Sequence, residues 1–262
     1  MMTMRRVTRV TGTIVLESAL HVGTGRPGRA ASDHGVLLDP DGRPVIPGSS
    51  LKGVLRSTAE SLAGHLGMKA CFLAGEAGCA TGNTSREKDL RDRLEAAGPS
   101  EVASILAEAF CDVCLLFGSP LVASRVRLVD ASTDWKGMPE VRDGVSLDRD
   151  SRTARPGLKF DFEVIPAGVS FAFELRATNL GRRERALLWA ALREWSRGFA
   201  LGGKVSRGLG AARLEDLSWR EADLEDPAQR VAYLARSTMQ EVPGETLDRE
   251  LEEILGGGES DA

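Results

Sequence analysis

Residues 43 to 60 read RPVIPGSSLKGVLRSTAE. Pro44, Pro47 and Gly48 bring an extended segment up to the serine pair Ser49 and Ser50. A serine hydroxyl accepts a hydrogen bond from a free amide in a helix's first turn, so Ser49 or Ser50 is expected to cap a helix. Behind them Leu51, Val54, Leu55, Thr58, Ala59 and Leu62 fall on one helical face. Lys52 and Arg56 stand on its flank. Cations there oppose the helix dipole. Together with the unbonded first amides they suit an anion, and a phosphate above all. A capped amphipathic helix with solvated basic residues gives the same pattern.

Working outward, residues 7–18 (VTRVTGTIVLES) are rich in β-branched residues and partly alternate, which predicts a strand. Residues 23–35 (GTGRPGRAASDHG) are glycine-rich and basic and read as a loop, followed by a short strand at 36–38 and a DPDGRP turn. The helix runs to about Gly64. Residues 65–120 form an insertion with all four cysteines, the charged stretch SREKDLRDRLEAAG and a helical segment over 100–110. A strand is expected at 124–131. Residues 132–157 are polar, rich in Arg and Asp, and read as a long loop or hairpin. Strands at 159–165 and 169–178 flank a Pro-Ala-Gly turn. A helix over 183–199, a glycine-rich loop and a last strand over 211–217 follow. Short helices are expected near 228–237 and 247–255, before a glycine- and acid-rich end.

This order predicts an α+β fold with a ferredoxin-like, RRM-like βαββαβ core and insertions at about 65–120 and 132–157. The domain is expected to span 1–220, and acidic C-terminal helices and a tail 221–262. Such a fold carries no function by itself.

The formal net charge is −4 and the isoelectric point near 5.6, which argues against a nucleic-acid binder. The distribution removes that objection. Residues 215–262 hold fourteen acidic and four basic residues, a net of −10, which leaves the body at +6. No apolar run is long enough to span a membrane, and none follows the basic N-terminus as in a signal peptide. A cytoplasmic location without membrane partners is the expectation.

Cys71, Cys79, Cys111 and Cys114 all fall in one insertion, the last two as a CxxC knuckle. In a reducing compartment this favours tetrahedral zinc over disulfides, with His65 as a substitute ligand; free buried thiols are the other reading. Four thiolates leave no open position, so the site would be structural. Residues 198–205 (GFALGGKV) contain G-x-x-x-x-G-K, but Val205 stands where Ser or Thr should meet magnesium, and the segment ends a helix. A nucleotide P-loop is excluded on both counts. Gly202 and Gly203 are expected instead to let the main chain approach a sugar-phosphate, with Lys204 and Arg207 adding charge. In the 132–157 segment, Arg142, Arg149, Arg152 and Arg155 are candidate phosphate contacts and Val145 and Leu147 an apolar wedge; a solvated arginine-rich loop is the plainer reading. Aromatic residues make up 5% of the chain and none stands in the motif loops at 23–35 and 202–210, so backbone readout is expected over base stacking. Asp33 and His34 occupy the loop before the organising helix. A carboxylate there could position a metal ion or take a proton from a ribose 2′-hydroxyl; a loop residue that favours turns is the plainer reading of Asp33. His34 is a second acid–base candidate, an exposed loop histidine being the plainer reading, while His21 is read as structural.

The string IPGSSLKGVLRS resembles the signature segment of the RAMP superfamily, the repeat-associated RNA-binding proteins of CRISPR systems. GGKVSRGLG at 202–210 resembles its glycine-rich loop. The stretch from Arg142 to Phe171 resembles the middle region of the backbone subunits of type III effector complexes. The three occur in the family's order and together cover most of residues 7–214.

The resemblance implies several copies of the chain along a CRISPR RNA, beside other effector subunits. Ser49, Ser50, Lys52, Arg56, Gly202, Gly203, Lys204 and Arg207 would hold the guide. The 132–157 segment would be a thumb, with Arg142, Arg149 and Arg152 on RNA, that displaces a base in the guide–target duplex. It also implies a cysteine-rich zinc module at this place. Target-cleaving members carry a catalytic aspartate between the first strand and the signature segment, and Asp33 is the only acidic residue between Gly23 and Leu38. The family usually has a glycine before that aspartate, where this chain has Ser32. Magnesium or another divalent ion would assist cleavage. A non-catalytic RNA-binding scaffold is the alternative; a histidine-dependent repeat-processing nuclease is weaker, because no paired His or Tyr stands in a plausible site.

Overall fold

The computed structural model describes residues 3–28, 32–71, 79, 84–98 and 101–256. In chain order the elements are β1 (Arg6–Leu16), β2 (Val45–Ile46), α1 (Gly48–Leu62), α2 (Thr84–Ala96), α3 (Val102–Ala109), α4 (Asp112–Phe117), β3 (Val126–Leu128), β4 (Ala131–Ser132), β5 (Glu140–Leu147), β6 (Ala154–Val164), β7 (Ser170–Thr178), α5 (Arg182–Arg197), β8 (Phe199–Ala200), β9 (Ala211–Asp223), α6 (Pro227–Arg236), β10 (Gln240–Val242) and α7 (Gly244–Gly256). The fold is α+β. The main sheet has the order β10-β9-β1-β7-β3, with β8 added on β9, and its pairings are antiparallel. The strands β5 and β6 form a separate hairpin.

One face of the sheet is apolar because Val10, Ile14, Phe171, Phe173, Leu175, Leu214 and Trp219 alternate inward along their strands. The helices α1 and α5 cover it. Leu51, Leu55 and Ala59 of α1 are fully buried, as are Leu187, Leu192 and Trp195 of α5. Burying each large side chain contributes about 1.5–3 kcal/mol. The two helices are also tied by the Trp195 indole, which donates to Thr58 Oγ1 at 3.1 Å.

The organising helix forms as expected, but neither serine caps it. Pro47 is the N-cap, and the Gly48 amide donates to Asp130 Oδ1 at 2.8 Å. The acceptor comes from the segment just after β3, because the helix start is pressed against that strand. A side chain at position 48 would collide with the Leu128 carbonyl, so only glycine fits.

The strand β9 continues to Asp223, so the boundary expected at 220 falls inside it. Beyond it β10 joins the main sheet, and α7 docks on α5 through buried Leu247 and a bond from Trp189 Nε1 to Asp248 at 2.7 Å. Arg185 of α5 meets Glu221 at 2.8 Å and also Glu250, and Arg182 meets Glu253. The acidic C-terminal region is thus matched to an arginine-rich helix. The last six residues and the side chain of Arg155 lie outside the described residues.

Candidate nucleic-acid interface and metal centre

The topology gathers three segments at one end of the sheet, where β1 terminates: the loop after β1, the β5–β6 hairpin and the glycine-rich loop that leads into β9. The start of α1 lies against β3, level with the middle of β1. The loop after β1 lies along β6: His34 N donates to Asp161 O at 3.2 Å, and Glu163 N donates to His34 O at 2.9 Å. Asp33 Oδ2 accepts from the Asp161 amide at 2.9 Å. The aspartate is exposed and yet fixed on a strand.

Alternation sorts the hairpin into two faces. On one, Asp143 and Asp161 stand directly opposite each other, and Lys159 reaches Asp143 at 3.1 Å. Hydrogen bonding to Lys159 holds the Asp143 carboxyl below its ordinary range, whereas the hydrogen bond to Asp143 pushes Asp161 up, with Asp33 adding to the same rise. Two carboxyls share a proton or a cation when forced together, so Asp33 sits beside a locally anionic strand pair. On the other face Phe160 and Phe162 meet the Lys204 ammonium at 4.9 and 4.5 Å, and His34 sits edge-on to Phe160 at 6.1 Å. Arg142, Phe160, Phe162, Lys204, Arg207 and Leu209 are among the residues lining a cleft of about 190 Å³ there.

The glycine-rich loop rests on His21. The Gly203 amide donates to His21 O at 2.7 Å, His21 Nδ1 bonds Glu163 O at 2.7 Å, and the imidazole is buried. Gly202 has φ +81°, and a Cβ there would stand 2.6 Å from His21 O. Close approach within the protein therefore accounts for this glycine, where approach to a sugar-phosphate was expected. Lys204 and Arg207 are the groups the loop offers outward. His21 is structural, as read from the sequence.

Of the other expected contacts, Ser49 is exposed and Ser50 and Lys52 are half-buried beside it. Burial, then the neighbouring Arg56 charge, lowers the Lys52 ammonium from its usual value. Arg56 turns inward instead. It donates to Glu60 Oε1 at 2.8 Å, Gly118 O at 2.9 Å and Cys114 Sγ at 3.1 Å. In the hairpin, Arg142, Arg149 and Arg152 are exposed, with Arg152 at positive φ in the tip, and Val145 and Leu147 are 48% and 63% exposed. Water-facing apolar residues on a two-stranded arm suit a wedge. Sequence reasoning missed Lys159, Phe160, Asp161 and Phe162, although the alternation in KFDFE (159–163) carries both faces.

The four cysteines come together at the other end of α1. Their sulfurs all lie within 4.8 Å of one another, and Cys71 and Cys114 are 3.6 Å apart. A zinc ion bonded to four sulfurs at 2.3 Å spaces them about 3.8 Å apart. The Cys111 amide donates to Cys79 Sγ at 3.0 Å and the Cys114 amide to Cys111 Sγ at 3.4 Å. Burial pushes the Cys79 thiol up to about 11 and raises Cys114 further. Crowded sulfurs with amide donors and one guanidinium fit a divalent thiolate-loving metal. His65 stands outside the set. No helix among the described residues is long and apolar enough to cross a membrane.

Replacing Arg56 by Gln removes the cationic partner of Cys114. Loss of such an outer partner costs about 10–100-fold in metal affinity. Chelator competition on the purified chain measures it; retention equal to wild type would reduce the Arg56–Cys114 bond to a packing contact.

A family model described as the RAMP superfamily matches residues 13–213, and the chain belongs to that superfamily. Within it, the chain is similar to the CRISPR system Cms endoribonuclease Csm3 of Methanothermobacter thermautotrophicus. The two are 26% identical over 228 residues, which is 82% of this chain and 86% of that relative.

Proposed function

We propose that the chain is a CRISPR RNA-binding backbone subunit of a type III effector complex and cleaves RNA complementary to the guide. One observation carries this: an exposed aspartate, Asp33, is clamped on β6 where the basic glycine-rich loop meets a hairpin that exposes Val145 and Leu147. The similarity to a protein named as a CRISPR endoribonuclease supports it. The order of the core strands, fourth-first-third-second among β1, β3, β7 and β9, supports a ferredoxin-like core.

In this reading Lys52, Lys204, Arg207 and Arg142 hold RNA phosphates, and Val145 and Leu147 part a base from its stack. Asp33 orients the ribose 2′-hydroxyl of the displaced nucleotide and takes its proton. The 2′-oxygen bonds to phosphorus, the bond to the 5′-oxygen breaks and that oxygen takes a proton from water, which leaves a 2′,3′-cyclic phosphate and a 5′-hydroxyl. A divalent ion held by Asp33 and Asp161, when bound, would offset charge on the phosphate. The cysteine cluster holds zinc and fixes the insertion on α1.

The test is an assembled complex with guide and labelled complementary RNA, with magnesium and with a chelator that spares the zinc. Cleavage with magnesium and its loss without it, target binding being equal, is the expected result. Binding without cleavage in both would make this chain a scaffold subunit.

A further inference from the structure

The water-facing side of the main sheet carries a row of arginines. Register sets Arg127 of β3 opposite Arg176 of β7, Arg176 opposite Arg9 of β1, and Arg9 opposite Arg220 of β9. Paired residues of an antiparallel sheet point to one face. The next positions, Val10, Leu175 and Trp219, are buried under the helices, and all four arginines are exposed. Four adjacent strands make the row about 15 Å long. It lies roughly 20 Å along β1 from the end that holds Asp33.

Like charges directly opposite on neighbouring strands are destabilising. Glu174 offsets part of this by meeting both Arg9, at 2.7 Å, and Arg176. Glu241 of β10 stands opposite Arg220 in register and closes the row on that side. Among the described residues neither Arg127 nor Arg220 forms an ion pair. Folding alone asks only for polar residues at these positions, so the row is matched to something outside the chain.

We propose that this row binds the sugar-phosphate backbone of single-stranded RNA, on a surface separate from the Lys204 cleft. Guanidinium forks fit phosphate oxygens in pairs. An acidic protein face has the same charge, but the rest of the surface favours RNA. The same side continues along β1 and β7 into a groove of about 470 Å³ lined by Thr13, Ala172 and the half-buried Trp135, among others. This groove begins about 13 Å along β1 from Arg9 and also holds Asp134; its indole offers a base a stacking surface. The proposal rests on the RNA-binding reading above but on different residues.

The experiment uses the full chain and a labelled, unstructured RNA oligonucleotide, titrated across a range of salt. The double variant Arg127→Gln, Arg220→Gln removes the two arginines outside the Glu174 pairs and leaves the fold's ion pairs intact. Two lost phosphate contacts lower the slope of log affinity against log salt by about 1.4 and weaken binding roughly tenfold or more at low salt. Arg127→Lys, Arg220→Lys keeps the charge and restores most of the binding. Wild-type affinity and slope in the Gln variant would overturn the proposal. If Lys204→Gln still weakens binding, the cleft reading survives that result; a wild-type chain without RNA affinity would sink both. Loss of self-association with RNA binding unchanged would assign the row to a protein contact and likewise overturn it.

Discussion

Asp33→Ala lowers target-RNA cleavage by about 10²–10⁴-fold, the usual worth of a positioned acid or base. That range is about 3–5 kcal/mol of barrier. Asp33 is exposed and its one described hydrogen bond is from the Asp161 amide, so the variant should melt within a degree or two of wild type and bind guide and target normally. Asp33→Asn separates position from charge. The Asn oxygen can still accept from the Asp161 amide, so the loop stays on β6 while the carboxylate is lost. Equal loss of cleavage in both variants marks the charge as the working element. Recovery in Asn would make Asp33 an anchor for the loop. The measurement is single-turnover cleavage by complexes assembled with each variant, with target binding followed in parallel.

Cys114→Ser has the largest expected effect on stability. Structural zinc contributes about 10–16 kcal/mol in small domains, so loss of one of four ligands costs on the order of 3–4 kcal/mol. For a chain of this size that is a fall in Tm of about 6–16 °C. The effect is transmitted inward because Cys114 is buried under Leu116 and Phe117 and its sulfur is bonded to Arg56 of α1. Chelation of the wild-type chain removes all four bonds and should lower its Tm at least as far, and metal analysis should find one zinc per chain. A metal-free wild type whose Tm ignores the chelator would leave four packed thiols.

The parts of the fold that sequence revealed are those whose cause is local. The apolar spacing of α1 and α5 and the alternation of β1 and β7 announce themselves within a dozen residues. What was hidden depends on distant partners. The cap of α1 is Asp130, 82 positions after the amide it serves. Arg56 looks like a surface cation until Cys114, 58 positions on, is placed beside it. The strand β9 seemed to end at Leu217 because a bulge against Thr11 and Thr13, with Asp216 at positive φ, breaks its alternation. The short strand β10 has no pattern of its own and exists because β9 offers it an edge.

The site divides the same way. Asp33 came forward as a candidate through the family resemblance, since its loop contains no other acid, and the cysteine set was legible because all four stand in one insertion. Phe160 and Phe162 belong to a strand, so a search of the motif loops for aromatic residues passed over them. Their rings face Lys204. The arginine row is invisible in one dimension, since its four members come from four strands whose register only the folded sheet supplies.

The central claim is that RNA is cut through a ribose hydroxyl held beside Asp33. The most direct measurement uses a complementary target with a single 2′-deoxy nucleotide immediately 5′ of one scissile phosphate. The account predicts that cleavage disappears at that phosphate, continues at the neighbouring sites, and leaves cyclic phosphate ends there. Unchanged cleavage at the deoxy position would contradict it, because the bond would then be broken by water and not by the RNA's own hydroxyl.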